Sequence, residues 1–337
     1  MSSARAVRID EPGRLRVVPA EPARPGRGEA LVRVAWAGIC GSDRELLAGT
    51  RPAPYARYPV VPGHEWSGTV EAVGGGVERE LLGRPVVGEG FRSCLHCAAC
   101  RRGDTNLCTA EYDETGFTSP GAWADHLTLP ARLLHTLPEG ADLRAAAGLE
   151  PAACVAAACL RAAPVPGERV AVVGAGMLGL LATQLLAAAG PAENTVVHRS
   201  TGRQDLAERC GATGYLTADE VGTHVGRYDV VIEAAGGSGA ARLATSLARR
   251  GGRVVLTGLP PADDDPPRPI DLVLNQITVF TVFGAPPAAW SHVVRAFAAG
   301  LLDPSSLITH ELALEDAETA FRLLREDPTA LKVLLHP

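Results

Sequence analysis

Lysine is all but missing from this chain: of 32 basic residues, Lys332 is one and the others are arginines. Catalysis through a lysine Schiff base would therefore have a single candidate amine, set in a short apolar C-terminal run, and is not expected. Aromatic residues are also scarce, at 4%, so a site built to grip a bulky hydrophobic ligand is not indicated. No stretch approaches the roughly 20 uninterrupted apolar residues of a membrane span, and the opening residues Arg5, Arg8, Asp10 and Glu11 leave no secretory apolar core. A cytoplasmic location without a membrane partner is the expectation. Positive charge is in deficit as well, with a formal net charge of −6, which removes any general attraction for nucleic acid.

What is present is the material of a globular enzyme. Hydrophobic residues make up 46% and charged residues 21% of 337, a balance that folds and a length that favours two domains over one core. The first 150 or so residues are strand-like and rich in turns, as in the weakly alternating run Ala30-Leu31-Val32-Arg33-Val34-Ala35-Trp36. Near Glu150 the texture changes. An Ala- and Cys-rich segment from Pro151 to Ala163 reads as a helix ended by Pro164-Val165-Pro166-Gly167. Apolar strands then alternate with helical stretches, the pattern of βαβ units and a parallel sheet. Residues Pro260 to Pro269, with three aspartates and five prolines, read as an exposed loop.

Eight cysteines in a chain expected to carry no leader argue for free thiols rather than a disulfide framework. Four of them share one window: Cys94, Cys97, Cys100 and Cys108 read C-x2-C-x2-C-x7-C. One loop can wrap four such thiolates tetrahedrally around Zn²⁺, and Gly103 and Asp104 suit the turns required. An iron–sulfur cluster is the competing reading, since Cys₄ spacing alone does not choose the metal. A zinc closed by four thiolates has no open position, so its role would be structural.

The strand Arg169-Val170-Ala171-Val172-Val173 leads into Gly174-Ala175-Gly176-Met177-Leu178-Gly179 and then an Ala/Leu-rich helix. In that context the glycines let the backbone approach a pyrophosphate at the helix N-terminus, and a dinucleotide site is expected there. The bland alternative is a tight turn with no ligand. Asp229-Val230-Val231-Ile232-Glu233 and Gly252 to Gly258 read as two more buried strands, so Gly236 and Gly258 should border the cofactor at the carboxyl ends. An NAD site usually carries an acid about 20 residues past the glycines. Here the second strand runs into His198-Arg199-Ser200-Thr201 instead. A guanidinium and hydroxyls suit a 2′-phosphate, which favours NADP over NAD.

Four further residues, at three places in the chain, are chemically suggestive. Cys40 lies in Gly38-Ile39-Cys40-Gly41-Ser42-Asp43, His64 and Glu65 follow Gly63, and Glu150 opens the helix at the domain boundary. Each has an ordinary reading alone: a buried thiol, a core histidine, a helix-start charge. Spacing does not show that they converge.

The motifs together resemble the zinc-containing medium-chain alcohol and polyol dehydrogenase family along essentially the whole chain. Gly-Ile-Cys-Gly-Ser-Asp at 38–43, Pro-Gly-His-Glu at 62–65, the four-cysteine lobe, Glu150-Pro151 and the glycine motif stand in its order. The resemblance implies an α/β protein: a GroES-like β-barrel catalytic domain from residues 1–150 and 286–337, with a Rossmann doubly wound coenzyme domain at 151–285 inserted. It makes Cys40 and His64 ligands of a catalytic zinc, with Glu65 and Glu150 competing for the remaining protein position, and Ser42 the relay for the hydroxyl proton. A departure stands at Glu45, where many polyol-type members carry histidine. The implied activity is hydride transfer between a secondary alcohol, or its ketone, and NAD(P). Gly63-His64-Glu65-Trp66-Ser67-Gly68 and Glu114-Thr115-Gly116-Phe117-Thr118 are similar to 2-deoxy-scyllo-inosamine dehydrogenases, which points to a polyol, sugar or aminocyclitol. The same fold also serves zinc-free quinone or enone reductases and non-catalytic NADP-binding proteins, which would lack the open metal position. By analogy with the family, the chain forms a homodimer or homotetramer.

Overall fold

The computed structural model describes residues 4–261 and 263–337. The chain separates into two units: one runs to Glu150 and resumes with Pro304–Pro337, the other is Pro151–Asp303.

The first unit begins with an antiparallel hairpin of β1 (Arg5–Glu11) and β2 (Arg14–Pro19). Next come β3 (Glu29–Gly38), α1 (Gly41–Ala48), β4 (Trp66–Val73) and β5 (Pro85–Gly88). The short α2 (Ala98–Arg101), β6 (His126–Pro130), β7 (Leu134–Thr136) and α3 (Leu143–Ala146) follow. Helix α4 (Leu149–Ala162) carries the unit boundary in its first turn.

The second unit is built on β8 (Arg169–Val173), α5 (Met177–Ala187), β9 (Glu193–His198), α6 (Gln204–Arg209), β10 (Gly214–Thr217) and β11 (Tyr228–Glu233). It continues through α7 (Ala240–Leu247), β12 (Ala248–Leu256), α8 (Pro269–Asn275), β13 (Thr278–Thr281) and α9 (Pro287–Ala298). The six strands form one parallel sheet in the order β10-β9-β8-β11-β12-β13. The order reverses between β8 and β11, and the crevice beyond their carboxyl ends is where such sheets hold ligands. Strands β8, β9 and β11 are buried over nearly their whole length, as parallel strands covered by helices on both faces must be.

The chain re-enters the first unit as β14 (Ile308–Ala313), α10 (Ala317–Glu326) and β15 (Lys332–His336). Strand β15 pairs antiparallel with β3, Leu334 opposite Gly38 and Leu335 opposite Ala37, and parallel with β14. A seven-stranded sheet results, in the order β14-β15-β3-β4-β5-β7 with β6 also on β3. Inward residues of these strands, including Val32, Val34, Trp66, Leu127, Val333 and Leu335, share one core with Trp123 and with Phe321 from α10.

The elements expected between residues 150 and 258 are found close to their anticipated limits. One expectation is corrected. Residues 286–303 belong to the second unit, not to the first. Helix α9 buries Ala289, Trp290, Val293 and Ala296, and Asp303 is tied to α5 by two hydrogen bonds. Gln184 Nε2 donates to its carbonyl at 3.0 Å, and its N–H donates to Gln184 Oε1 at 2.7 Å.

Candidate active site

Two loops of the first unit are clamped on one tryptophan. Trp123 donates its indole N–H to the Gly38 carbonyl at 3.2 Å and its backbone N–H to the Pro62 carbonyl at 3.0 Å. Gly63 adopts φ +97°, and a Cβ there would stand 2.3 Å from Trp123 Cδ1. Only glycine fits such a backbone at such an approach. The end of β3, carrying Cys40, is thereby brought against His64 and Glu65. The ligand atoms of Cys40, His64 and Glu65 all lie within 4.8 Å of one another.

Glu65 and Asp43 are fully buried and His64 is 5% exposed, while Cys40 is half-buried. Asp43 accepts the Cys40 N–H at 2.8 Å, and its other oxygen stands 3.6 Å from His64 Nδ1, an ion-pair separation. On the opposite side of the ring, His64 Nε2 is 3.5 Å from Ser42 Oγ. Burial alone would depress the His64 pKa, but Asp43 and then Cys40 override it and hold the imidazole well above its usual value. Glu65 Oε2 meets Lys332 Nζ at 2.5 Å, and the same ammonium donates to the Ile39 carbonyl at 3.1 Å. Burial again opposes this charge, while Glu65, Cys40 and Glu150 raise the Lys332 pKa above the ordinary value. Glu65 Oε1, His64 Nδ1 and Asp43 Oδ1 are buried without a hydrogen-bond partner.

A thiol, an imidazole and a carboxylate converging in a buried pocket, with an orphaned carboxylate oxygen among them, fit a zinc held by three protein ligands with its fourth position open. Asp43, behind the imidazole, fits the outer carboxylate that orients a metal-bound histidine. Glu150 is outside this donor set. It sits in the first turn of α4, where its charge reaches Lys332 and Glu114.

The second cluster lies in the loop around α2. The Cys94, Cys97, Cys100 and Cys108 sulfurs lie within 4.8 Å of one another. Backbone N–H groups point at them: Cys97 N donates to Cys94 Sγ at 3.4 Å, Cys100 N to Cys97 Sγ at 3.5 Å and Cys94 N to Cys108 Sγ at 3.4 Å. Donation from Cys100 and Thr109 lowers Cys97 to about 5, whereas burial and neighbouring thiols push Cys100 up to about 11. Four thiolates this close repel one another unless a cation offsets them, which is the chemistry of a closed Cys₄ zinc site.

In the second unit a cavity of about 570 Å³ opens beyond β8, β9 and β11, lined in part by Gly174, Gly176, His198 and Arg199. Gly174 takes φ +110° with the Ala235 backbone 3.0 Å from where its Cβ would be, while a Cβ on Gly176 would meet nothing. The backbone ahead of α5 is thus open to a phosphate group. Burial, with Arg199 and Arg203 beside it, holds His198 below its ordinary pKa. Met177, Leu178, Gly179, Ser200, Gly236 and Gly258 are not on the cavity wall. Gly179 serves packing, its Cβ position being 1.9 Å from the Gly174 carbonyl. Gly236 and Gly258 are held together by Glu233, whose carboxylate accepts their N–H groups at 2.8 and 3.1 Å.

Residues 26–139 match the alcohol dehydrogenase GroES-like domain, and residues 178–299 match the zinc-binding dehydrogenase domain. The chain is 30% identical to sorbitol dehydrogenase of Bombyx mori over 91% of each protein. The chain belongs to the zinc-containing medium-chain alcohol dehydrogenase family. Among solved structures, a cobalt- and zinc-bound thermostable alcohol dehydrogenase from Pyrobaculum aerophilum is 33% identical, with a TM-score of 0.88 over 99% of each chain. An NADP-bound structure from Sinorhizobium meliloti 1021 is 30% identical, with a TM-score of 0.91 over the full length of both. The first unit is therefore the GroES-like domain and the second the Rossmann domain. The dehydrogenase is a zinc- and NAD(P)-dependent oxidoreductase acting on alcohols. Among the described residues, no helix is long and apolar enough to cross a membrane.

Sequence reasoning missed two buried residues near the Cys40 cluster, Lys332 and Glu114. Lys332 belongs to no motif, although a lone lysine in an apolar run is itself a signal of a buried pair. Glu114 belongs only to a short similarity. Burial pushes it up to about 7; it accepts the Tyr112 hydroxyl and stands 3.5 Å from Arg51. The Arg51 guanidinium lies 3.8 Å over the Phe117 ring, which packs 4.7 Å from the His64 ring.

The thiol ladder of the four-cysteine lobe predicts an order of reactivity. In chelator-treated dehydrogenase at pH 6.5, iodoacetamide should alkylate Cys97 ahead of Cys100, because Cys97 is already thiolate there. Peptide mass mapping reads this directly, and equal labelling of the two would contradict the assignment.

Proposed function

We propose that this dehydrogenase moves hydride between NADP(H) and a secondary alcohol on a polyhydroxylated small molecule: a polyol, a sugar or, within that class, an aminocyclitol such as 2-deoxy-scyllo-inosamine. One observation carries the catalytic reading, namely the buried convergence of Cys40, His64 and Glu65 within 4.8 Å. A zinc held by them would polarise the substrate oxygen and favour its anionic form, while the nicotinamide would take or give the hydride. Asp43 keeps the His64 ring oriented with Nε2 toward Ser42. Ser42 Oγ, 3.5 Å from that nitrogen, is the group to accept the hydroxyl proton and pass it outward. Glu150 is the alternative carboxylate at the rim of this arrangement.

The polar substrate class is supported by the Arg51, Tyr112 and Glu114 cluster adjoining His64 through Phe117, which offers hydrogen-bonding groups rather than an apolar slot. A sorbitol dehydrogenase among the relatives agrees with it. NADP is favoured by Arg199 and Arg203 beside His198, with no acid at the end of β9.

We also infer a homodimer. Strand β13 ends the parallel sheet with one edge unpaired among the described residues. Beside it, Leu259, Ile270, Val273, Leu274 and Phe283 are exposed, more apolar surface than a solvated edge usually carries. A second copy covering this face would pair the edge and bury the patch. Light scattering should give a dimer for the wild type and a monomer for Val273→Glu/Leu274→Glu; a dimer in both would place the interface elsewhere.

Turnover of NADP⁺ and NAD⁺ with cyclitols, aminocyclitols and sugar alcohols tests the substrate class. Activity only on simple aliphatic alcohols would overturn it. Metal analysis should find two zinc ions per chain, and Cys40→Ser should lose turnover and one zinc while keeping the four-cysteine zinc. A variant still active with both metals would remove Cys40 from the site.

Replacing Arg199 with Asp should raise the KM for NADP⁺ by roughly ten- to a hundredfold, an order set by losing one charge-assisted phosphate contact and adding a repulsive carboxylate. The KM for NAD⁺ should change little. Equal losses for both would defeat the coenzyme preference.

A further inference from the structure

The chain's one lysine is buried, with 3% of its surface exposed. Strand β15 delivers it. The pairing of Leu334 with Gly38 continues as the Ile39 N–H donating to the Val333 carbonyl at 3.1 Å, which sets Lys332 alongside Ile39 and Cys40. Its Nζ lies 2.5 Å from Glu65 Oε2 and 3.1 Å from the Ile39 carbonyl oxygen. One ammonium therefore bridges the segment carrying Cys40 and the segment carrying His64.

Resting on the zinc reading of Cys40, His64 and Glu65, we propose that Lys332 is a positioning residue for the metal. It holds Glu65 by Oε2 so that Oε1 is left for the cation. The two oxygens of Glu65 are not equivalent. Oε2 is engaged by Lys332 and lies against Gly38, where an added Cβ would come within 2.2 Å of it. Oε1 is buried with no partner, an arrangement that a buried carboxylate does not sustain cheaply unless something else accepts its lone pairs. Charge argues the same way. Cys40 and Glu65 are two potential anions in a buried pocket, and a fixed ammonium beside both lowers their mutual repulsion whether or not the metal is bound. A compact ammonium is suited to one carboxylate oxygen and one carbonyl at this range; a planar guanidinium fork is not.

The test uses full-length dehydrogenase stripped of metal and reloaded with Zn²⁺ or Co²⁺. Zinc affinity is read by chelator competition, and the two sites are told apart by the cobalt spectrum, since a four-thiolate site gives far stronger sulfur-to-cobalt bands than a one-thiolate site. Lys332→Met should weaken the Cys40 site by roughly 10- to 100-fold, the usual effect of removing a partner behind a metal ligand. It should leave the four-cysteine site within about twofold of the wild type, a bound set by the distance between independent sites. Glu65→Gln should weaken the Cys40 site similarly, and the double variant should lose little more than either single one. Lys332→Arg keeps the charge but not the contact and should fall between; if Lys332→Met fails to fold, this variant carries the comparison. Unchanged affinity at the Cys40 site in the lysine variants, or equal losses at both metal sites, would overturn the assignment of Lys332 alone. A wild type that binds one metal, or a Glu65→Gln variant that binds two as tightly as the wild type, would instead overturn the ligand set on which the proposal stands.

Discussion

Burying acids beside a thiol is costly unless positive charge is supplied at the same place, and this requirement organises the first unit. Asp43 and Glu65 are fully enclosed next to Cys40. The fold answers with a histidine facing one acid and a lysine touching the other. Within this cluster Asp43 Oδ1, Glu65 Oε1 and His64 Nδ1 are still buried without a hydrogen-bond partner, so the two acids are only partly compensated by the protein. A divalent ion held as proposed by Cys40, His64 and Glu65 would complete the compensation that His64 and Lys332 begin.

Positioning comes from packing rather than from the site itself. Trp123 is wholly buried, is locked to the Gly38 and Pro62 carbonyls, and rests against Phe321 of α10 at 5.5 Å. The β3 end and the His64 loop are held together by that residue and by the Gly38 N–H donating to the Glu65 carbonyl at 2.8 Å. Glu233 plays the corresponding part in the Rossmann unit, joining the ends of β11 and β12 through N–H groups of Ala235, Gly236 and Gly258. In both units a buried residue helps to tie loop backbones, and those loops carry the candidate site residues.

Much of this was legible in the residues. Buried parallel strands read as continuous apolar runs, so β8, β9 and β11 were anticipated, and four cysteines within 15 residues announce their own proximity. The catalytic cluster was legible only through resemblance to known dehydrogenases, because the distance from Cys40 to His64 depends on Trp123 and the φ of Gly63. That Glu65 rather than Glu150 joins Cys40 and His64 was not legible at all. Glu65 is contacted by a lysine arriving from the far end of the chain, and no local pattern encodes a contact across 267 residues. The boundary near residue 286 failed for a related reason. The two hydrogen bonds that hold Asp303 to Gln184 leave no mark in composition.

That long separation bears on how the protein is made. Cys40, His64 and Glu65 leave the ribosome early, and the whole inserted coenzyme unit is synthesised before Lys332 appears. At roughly 5–20 residues per second, the wait lasts on the order of tens of seconds. During that interval the N-terminal segment has its acid without its counter-charge and its β3 edge without β15. The Lys332–Glu65 contact and the pairing of β15 with β3 therefore form only after the inserted unit has been made.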